Sequence, residues 1–194
     1  MNEPSDGEDA LVQKAQDGDE SAFMILVEKY REKILGTASR FGRDPEEVRD
    51  LAQEIFVEVW KGLSGYNGRA PFEHWLSRVA TNRCMRFLRR HHRRRAVEVI
   101  GTENPSGDGR DRNEQLADEA GPRQRDAAEA REVLAVALQR LSPKDALVVT
   151  LREVEGRSIA EVARDTGWSE GTVKVRAHRA RKRLREILEE MGET

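Results

Sequence analysis

Along most of this chain apolar residues recur at steps of three and four, and nowhere do they alternate. That period places them on one stripe of an α-helix and leaves no pattern for a half-buried strand. Phe23, Leu26, Val27, Tyr30, Ile34, Ala38 and Phe41 make one such stripe. Asp44-Pro45-Glu46-Glu47 then reads as a helix start: Asp44 caps, Pro45 suits the first helical position, and Glu47 completes a capping box. The helix that follows buries Val48, Leu51, Ala52, Ile55 and Val59 and ends near Gly62. Ser64 to Ala70 is turn-forming, and Pro71 opens another helix with Phe72, Trp75, Leu76, Val79 and Ala80 inward. The expected fold class is all-α.

Residues 96–126 break the pattern. Gly101, Pro105, Gly107, Gly109, Gly121 and Pro122 stand among acids, with few apolar groups to offset the entropy of ordering. They are expected to form a flexible acidic linker with a relaxed span of roughly 30 Å and a stretched reach of about 100 Å. From residue 127 helices resume: Val133, Leu134, Val136, Ala137 and Leu141 suit a first, and Ser142-Pro143 caps a second that carries Ala146, Leu147, Val149 and Leu151. Ser158-Ile-Ala-Glu161 is a capping box for a short third helix closed at Gly167, and Ser169 caps a long fourth. The expected organisation is an acidic flexible tail over 1–19, a helical domain over 20–95, the linker, and a second helical domain over 127–190. Each lobe is small enough to be marginal in the surface it can bury.

Charge is the second constraint. Charged residues make up 36% of the 194, against about a quarter in ordinary globular chains. The 34 basic and 36 acidic side chains give a net charge of only −2, but they are segregated. Arg83, Arg86, Arg89, Arg90, Arg93, Arg94 and Arg95 form an acid-free run, as do Lys174, Arg176, Arg179, Arg181, Lys182, Arg183 and Arg185. Two basic blocks in a near-neutral chain suit two polyanion contacts, or else two solvated helix faces. Cys84 is the single cysteine, which excludes an internal disulfide and a thiolate-rich zinc site. His74, His91, His92 and His178 do not pair with it or with carboxylates at ligand spacing, so no catalytic residues, metal or cofactor are expected. The acidic N-terminus and the lack of a long apolar run exclude export and membrane insertion, and imply a cytoplasmic protein.

Turned at 100° per residue, the last helix places Val173, Ala177, Ala180, Leu184, Ile187 and Leu188 on one packing face. The other face presents Gly171, Val175, His178, Arg179 and Lys182, flanked by Lys174 and Arg176. A short helix, a glycine turn and a longer basic helix form a helix-turn-helix, although plain helical hairpins also place small residues at tight turns. In the DNA-binding reading Val175, His178 and Arg179 reach base edges, and Arg179 suits a bidentate guanine contact worth ~1–3 kcal/mol of discrimination. Arg176, Arg181, Lys182 and Arg183 suit phosphates, which position without specifying.

The stretch Leu141-Ser-Pro-Lys-Asp…Leu151-Arg-Glu-Val-Glu-Gly156-Arg-Ser-Ile-Ala-Glu-Val-Ala163…Gly167-Trp-Ser-Glu-Gly171-Thr-Val-Lys-Val-Arg176-Ala-His-Arg-Ala-Arg181 resembles the fourth conserved region of bacterial sigma factors, in the short, two-domain extracytoplasmic-function class. The resemblance implies that this lobe reads the promoter's minus-thirty-five element with Lys174, Val175, His178 and Arg179 at the reading positions, beside the DNA contacts expected of Arg176 and Lys182, and docks on the β flap of core RNA polymerase. Asp50-Leu-Ala-Gln53-Glu54-Ile-Phe56-Val57-Glu-Val-Trp60 is similar to the family's second region, which implies that Asp50, Gln53, Glu54 and Val57 bind the β′ clamp helices. By spacing alone those four lie off the buried stripe and suit either an arginine-bearing partner helix or plain solvent.

Phe72-Glu-His-Trp75-Leu76-Ser-Arg-Val-Ala80-Thr-Asn82-Arg83 resembles the family's minus-ten and melting segment. It implies strand contacts from Asn82, Arg83, Arg86, Arg89 and Arg90, with Asn67 in a glycine-rich loop able to mould around an extruded base. Arg86 stands where relatives often carry an acid, and Trp75 on the apolar stripe suits core packing or base stacking. Spanning two promoter elements roughly 50–65 Å apart requires the linker to be drawn out. The implied function is a sigma factor that directs core polymerase to promoters and helps open the duplex, with an anti-sigma factor as a further partner. A stand-alone helix-turn-helix regulator and a non-DNA adaptor are the rival readings.

Overall fold

The computed structural model describes residues 5–100 and 133–192, and every regular element among them is helical. The first is α1 (Ser5–Gln16), which corrects the expectation of a flexible tail. Its Leu11, Val12 and Ala15 form a short apolar stripe, and Val12 and Ala15 are buried. Gln16 Nε2 donates to the carbonyls of Leu63 (2.9 Å) and Tyr66 (2.7 Å), while Glu8 accepts from the Tyr30 hydroxyl and pairs with Lys29 at 2.9 Å. Acidic composition concealed a helix whose acids are partly used.

α2 (Glu20–Ala38) is capped by Asp19, whose side chain accepts from Ala22 N at 3.0 Å. Leu26, Tyr30, Ile34, Ala38 and, just beyond the helix, Phe41 are buried as the stripe requires, with Phe23 and Val27 half-buried. α3 (Pro45–Leu63) starts where expected: Asp44 accepts from the amides of Glu46 and Glu47, both at 2.8 Å. Glu47 reaches past the cap to the amide of Arg43, so the reciprocal arm of the capping box closes one residue early. Leu51, Ala52, Ile55 and Val59 are buried. α4 (Phe72–Ile100) carries the arginine run and continues into the span expected as linker, because nothing before Gly101 breaks a helix. The rest of that linker, residues 101–126, lies outside the described residues, as do 127–132.

A short helix over 133–139, α5, opens the second lobe. Its Ala137 is buried with Leu141, whereas Val133 and Val136 are more exposed than expected, at 38% and 39%. α6 (Pro143–Val149) begins at the Ser142 cap and passes into one wider π-type turn, Thr150–Val154, in which Glu155 N donates to Thr150 O five residues back. α7 (Ile159–Thr166) and α8 (Glu170–Gly192) complete the lobe.

The lobes are not independent bundles. α4 packs on α3 along one face and on α6 and α7 along another. Cys84, Met85 and Phe87 of α4 belong to one contiguous core with Leu51 and Ile55 on one side and Leu147, Val148, Leu151 and Val162 on the other. A separate small cluster of Ala137, Leu141, Ala146, Val149, Ala180 and Ile187 lies beneath α5 and the second half of α8. Ala146, Leu147, Val148 and Val149 are all buried, so the second half of α6 is apolar and covered all round, while Lys144 in its first turn stays exposed. Arg40 reaches Glu155 at 3.7 Å and Arg164 meets His74 at 3.2 Å across the same junction.

Candidate nucleic-acid and partner interfaces

The α7–α8 unit is built from local devices. Ser158 Oγ accepts from Glu161 N at 3.2 Å and the Glu161 carboxylate accepts from Ser158 N at 2.7 Å, which closes the capping box. Gly167 ends α7 with φ of 73°, a left-handed conformation that favours glycine. Ser169 Oγ accepts from Thr172 N at 3.2 Å and starts α8. Buried Asp165 holds Arg157 at 2.6 Å, and Arg157 in turn meets Glu155 at 2.6 Å, so the loop before α7 is pinned to its last turn.

On α8, Val173, Ala177, Ala180 and Ile187 are buried, as the helical wheel requires. Leu184 is half-buried, and Leu188 departs from the wheel at 37% exposure, with no element among the described residues covering that edge. The opposite face is open: Lys174, His178, Arg179 and Lys182 are exposed, and Val175 is 66% exposed. Arg176 differs from its neighbours. Its guanidinium lies 5.2 Å from the centre of the Trp168 ring and 3.1 Å from Asp145, and its side chain is only 23% exposed. It is a brace between α8 and the rest of the lobe rather than a free phosphate ligand. Arg179 also reaches Asp145, at 3.2 Å, but stays largely in solvent. Burial works against the Asp145 charge, yet hydrogen bonds from Ser142 and Arg179, joined by Arg176, outweigh it and hold the carboxyl below its usual range. Asp145 was missed in the sequence because its partners are 31 and 34 residues away.

In the first lobe Asp50, Gln53, Glu54 and Val57 come together, with Glu58, Lys61 and Arg83, around one shallow concavity. Val57, one of the lining residues, is 42% exposed. Glu54 receives both Arg83 and Arg90, the latter at 3.3 Å, and Arg86 pairs with Glu58 at 2.7 Å. Burial opposes the Glu54 charge, but the two arginines overcome it and lower its titration. Three candidate strand-contacting arginines are therefore laced to α3. Asn82, Arg86 and Arg89 face a cleft whose other wall is Leu147, Thr166 and Trp168. Asn67 is not with them. It lies in the exposed 64–70 loop, where its side chain accepts from Arg69 N at 3.2 Å, at the far end of α4. The helix rise separates Phe72 from Arg89 by roughly 25 Å. Trp75 packs among Tyr66 (5.4 Å) and Phe72 (5.6 Å), a core role.

Among the described residues no group of His, Cys, Asp or Glu side chains is gathered for a metal ion, and no helix is long and apolar enough to cross a membrane.

Comparison with known proteins gives the same two units in the same order. Residues 26–94 match the model for sigma-70 region 2, and residues 131–184 match that for sigma-70 region 4. The chain is 34% identical over 185 residues to the RNA polymerase sigma-H factor of Pseudomonas aeruginosa, covering 92% of each. It is 30% identical over 178 residues to the ECF RNA polymerase sigma-E factor of Escherichia coli K12, covering 90% of each. Its fold is similar to that of CnrH in complex with the cytosolic domain of CnrY, with a TM-score of 0.58 at 24% identity over 95% of this chain and 98% of that one. The sigma factor RpoE of Bartonella quintana, solved with the anti-sigma factor NepR, gives 0.54 at 20% identity over 86% of this chain and 96% of that one. With both regions present in order and relatives matching nine-tenths of its length, the chain belongs to the sigma-70 family as an extracytoplasmic-function factor, a promoter-directing subunit of RNA polymerase rather than a catalyst.

Proposed function

We propose that this factor docks on core polymerase through the α3 face of Asp50, Gln53, Glu54 and Val57, and reads the upstream promoter element with α8. The observation that carries the second assignment is the open face of α8, where Val175, His178, Arg179 and Lys182 stand in solvent while the opposite face is sealed. An exposed Val175 methyl suits a thymine methyl, and Arg179 suits guanine O6 and N7. Lys174 and Lys182 suit phosphates. Asn82, Arg83, Arg86, Arg89 and Arg90, with Asn67 at the loop, supply cationic and polar contacts for the opened strand. The chain acts in the cytoplasm, and its further partner is an anti-sigma factor, the kind of protein with which the sigma factor RpoE of Bartonella quintana was solved.

The test uses the full chain, purified core polymerase and a randomised promoter library in run-off transcription. Arg179→Ala is expected to lose selection at one upstream base pair by about tenfold, the scale of one bidentate base contact, while core association persists. Loss of core association in that variant, or unchanged selection, overturns the assignment of α8. The stand-alone regulator reading requires instead that the free chain select the same site without polymerase.

A further inference from the structure

Asp145 holds the one exposed arginine of the reading face, and this has a consequence for selectivity. The residue sits in the first turn of α6, where Ser142 Oγ donates to its Oδ2 at 2.8 Å and its own amide donates to Ser142 Oγ at 3.3 Å. That reciprocal pair fixes the carboxylate, whose side chain is only 13% exposed. Its Oδ1 then accepts from Arg176 at 3.1 Å and from Arg179 at 3.2 Å. The first of these is immobilised on its other side by Trp168. The second has one nitrogen tethered, while its side chain remains 59% exposed. A guanidinium carries five N–H donors in a rigid plane, so one tether leaves a fork free while restricting the direction in which it points.

Resting on the reading of α8 given above, we propose that Asp145 is a positioning residue for promoter selectivity: it orients the Arg179 fork toward a base edge and keeps the charge of Arg176 and Arg179 from being spent on phosphates. Two effects follow, and they run in opposite directions. A free Arg179 swings between base and backbone and discriminates less. With the buried negative charge gone, the same surface binds any duplex more tightly and with steeper salt dependence, since about one more phosphate is neutralised. A variant that merely damages the fold weakens both.

The experiment compares wild type, Asp145→Asn, Arg179→Ala and the double variant as full-length chains with core polymerase on the promoter library. Non-specific affinity of each free chain for a random-sequence duplex is measured as a function of salt. Asp145→Asn is expected to lose about fivefold or more of the discrimination at the base pair identified by Arg179→Ala. It should bind the random duplex more tightly with a log–log slope steeper by about one. Combined with Arg179→Ala it should add no further loss of selectivity. Asp145→Glu, which keeps the charge, is expected to recover part of the discrimination. If Asp145→Asn is poorly folded by thermal melting, Ser142→Ala replaces it: loss of carboxylate support should give a smaller loss at the same base pair. Wild-type discrimination in Asp145→Asn, or in Ser142→Ala where it stands in, alongside a loss in Arg179→Ala overturns the positioning role and leaves the reading of α8 standing. Unchanged discrimination in Arg179→Ala overturns both.

Discussion

Glu54 ties α3 to α4 through charge. It accepts from Arg83 and Arg90 of α4 and at the same time lies in the concavity proposed to meet polymerase. Its carboxyl titrates below the usual range in the folded chain, so its contribution to stability is present above the unfolded value near ~4.3 and fades as pH falls through the folded one. Glu54→Gln should therefore be less stable than wild type at pH 7 by on the order of 1 kcal/mol or less, given its partial exposure, and the gap should narrow as pH is lowered below the unfolded value near ~4.3. Urea denaturation at pH 7 and below that value checks this; a gap that is constant with pH would mean that the ion pairs contribute nothing. The same residue illustrates what was legible. That Glu54 lies off the buried stripe follows from spacing, whereas its arginine partners on the next helix do not, because the partner 36 positions away is chosen by how two helices lie together.

At the scale of elements, the starts and stops of helices were the most readable feature. Asp44, Ser142, Ser158 and Ser169 each accept from an amide two or three residues ahead, a contact that depends only on local sequence. α1 is the element that composition hid. Its stripe is too short to stand out among acids, and it is stabilised by the surface that α2 and the 63–66 turn offer it. Val12→Ala, which removes two methyl groups from a side chain 3% exposed, is expected to cost about 1–2 kcal/mol and to lower Tm by roughly 2–8 °C. A Tm unchanged in calorimetry would show that α1 does not contribute to the folded core.

For the molecule as a whole, the shared core replaces the picture of two marginal bundles. Cys84 is fully buried on α4, and Glu155 and Arg157 of the second lobe are close enough to influence its titration. Burial pushes its thiol up to about 12, and the thiolate is the reactive form. The free factor is therefore expected to unfold in one calorimetric transition and to leave Cys84 unmodified by a thiol reagent. On core polymerase with promoter DNA, where the proposed engagement of both elements would draw the lobes roughly 50–65 Å apart, Cys84 should become reactive, as read by mass spectrometry of its peptide. Two separate transitions together with immediate labelling of the free chain would contradict the shared core. The helical class, the caps, the basic blocks and the outward face of α8 were determined by residues within a turn or two of one another, because a helix writes its faces into a local period. Tertiary structure alone decided that α1 docks, that residues 146–149 of α6 are buried on every side, and that Asp145 meets Arg176 and Arg179. Those outcomes depend on which surfaces approach after the helices exist, and a stripe of apolar residues records that it will be covered without recording by what.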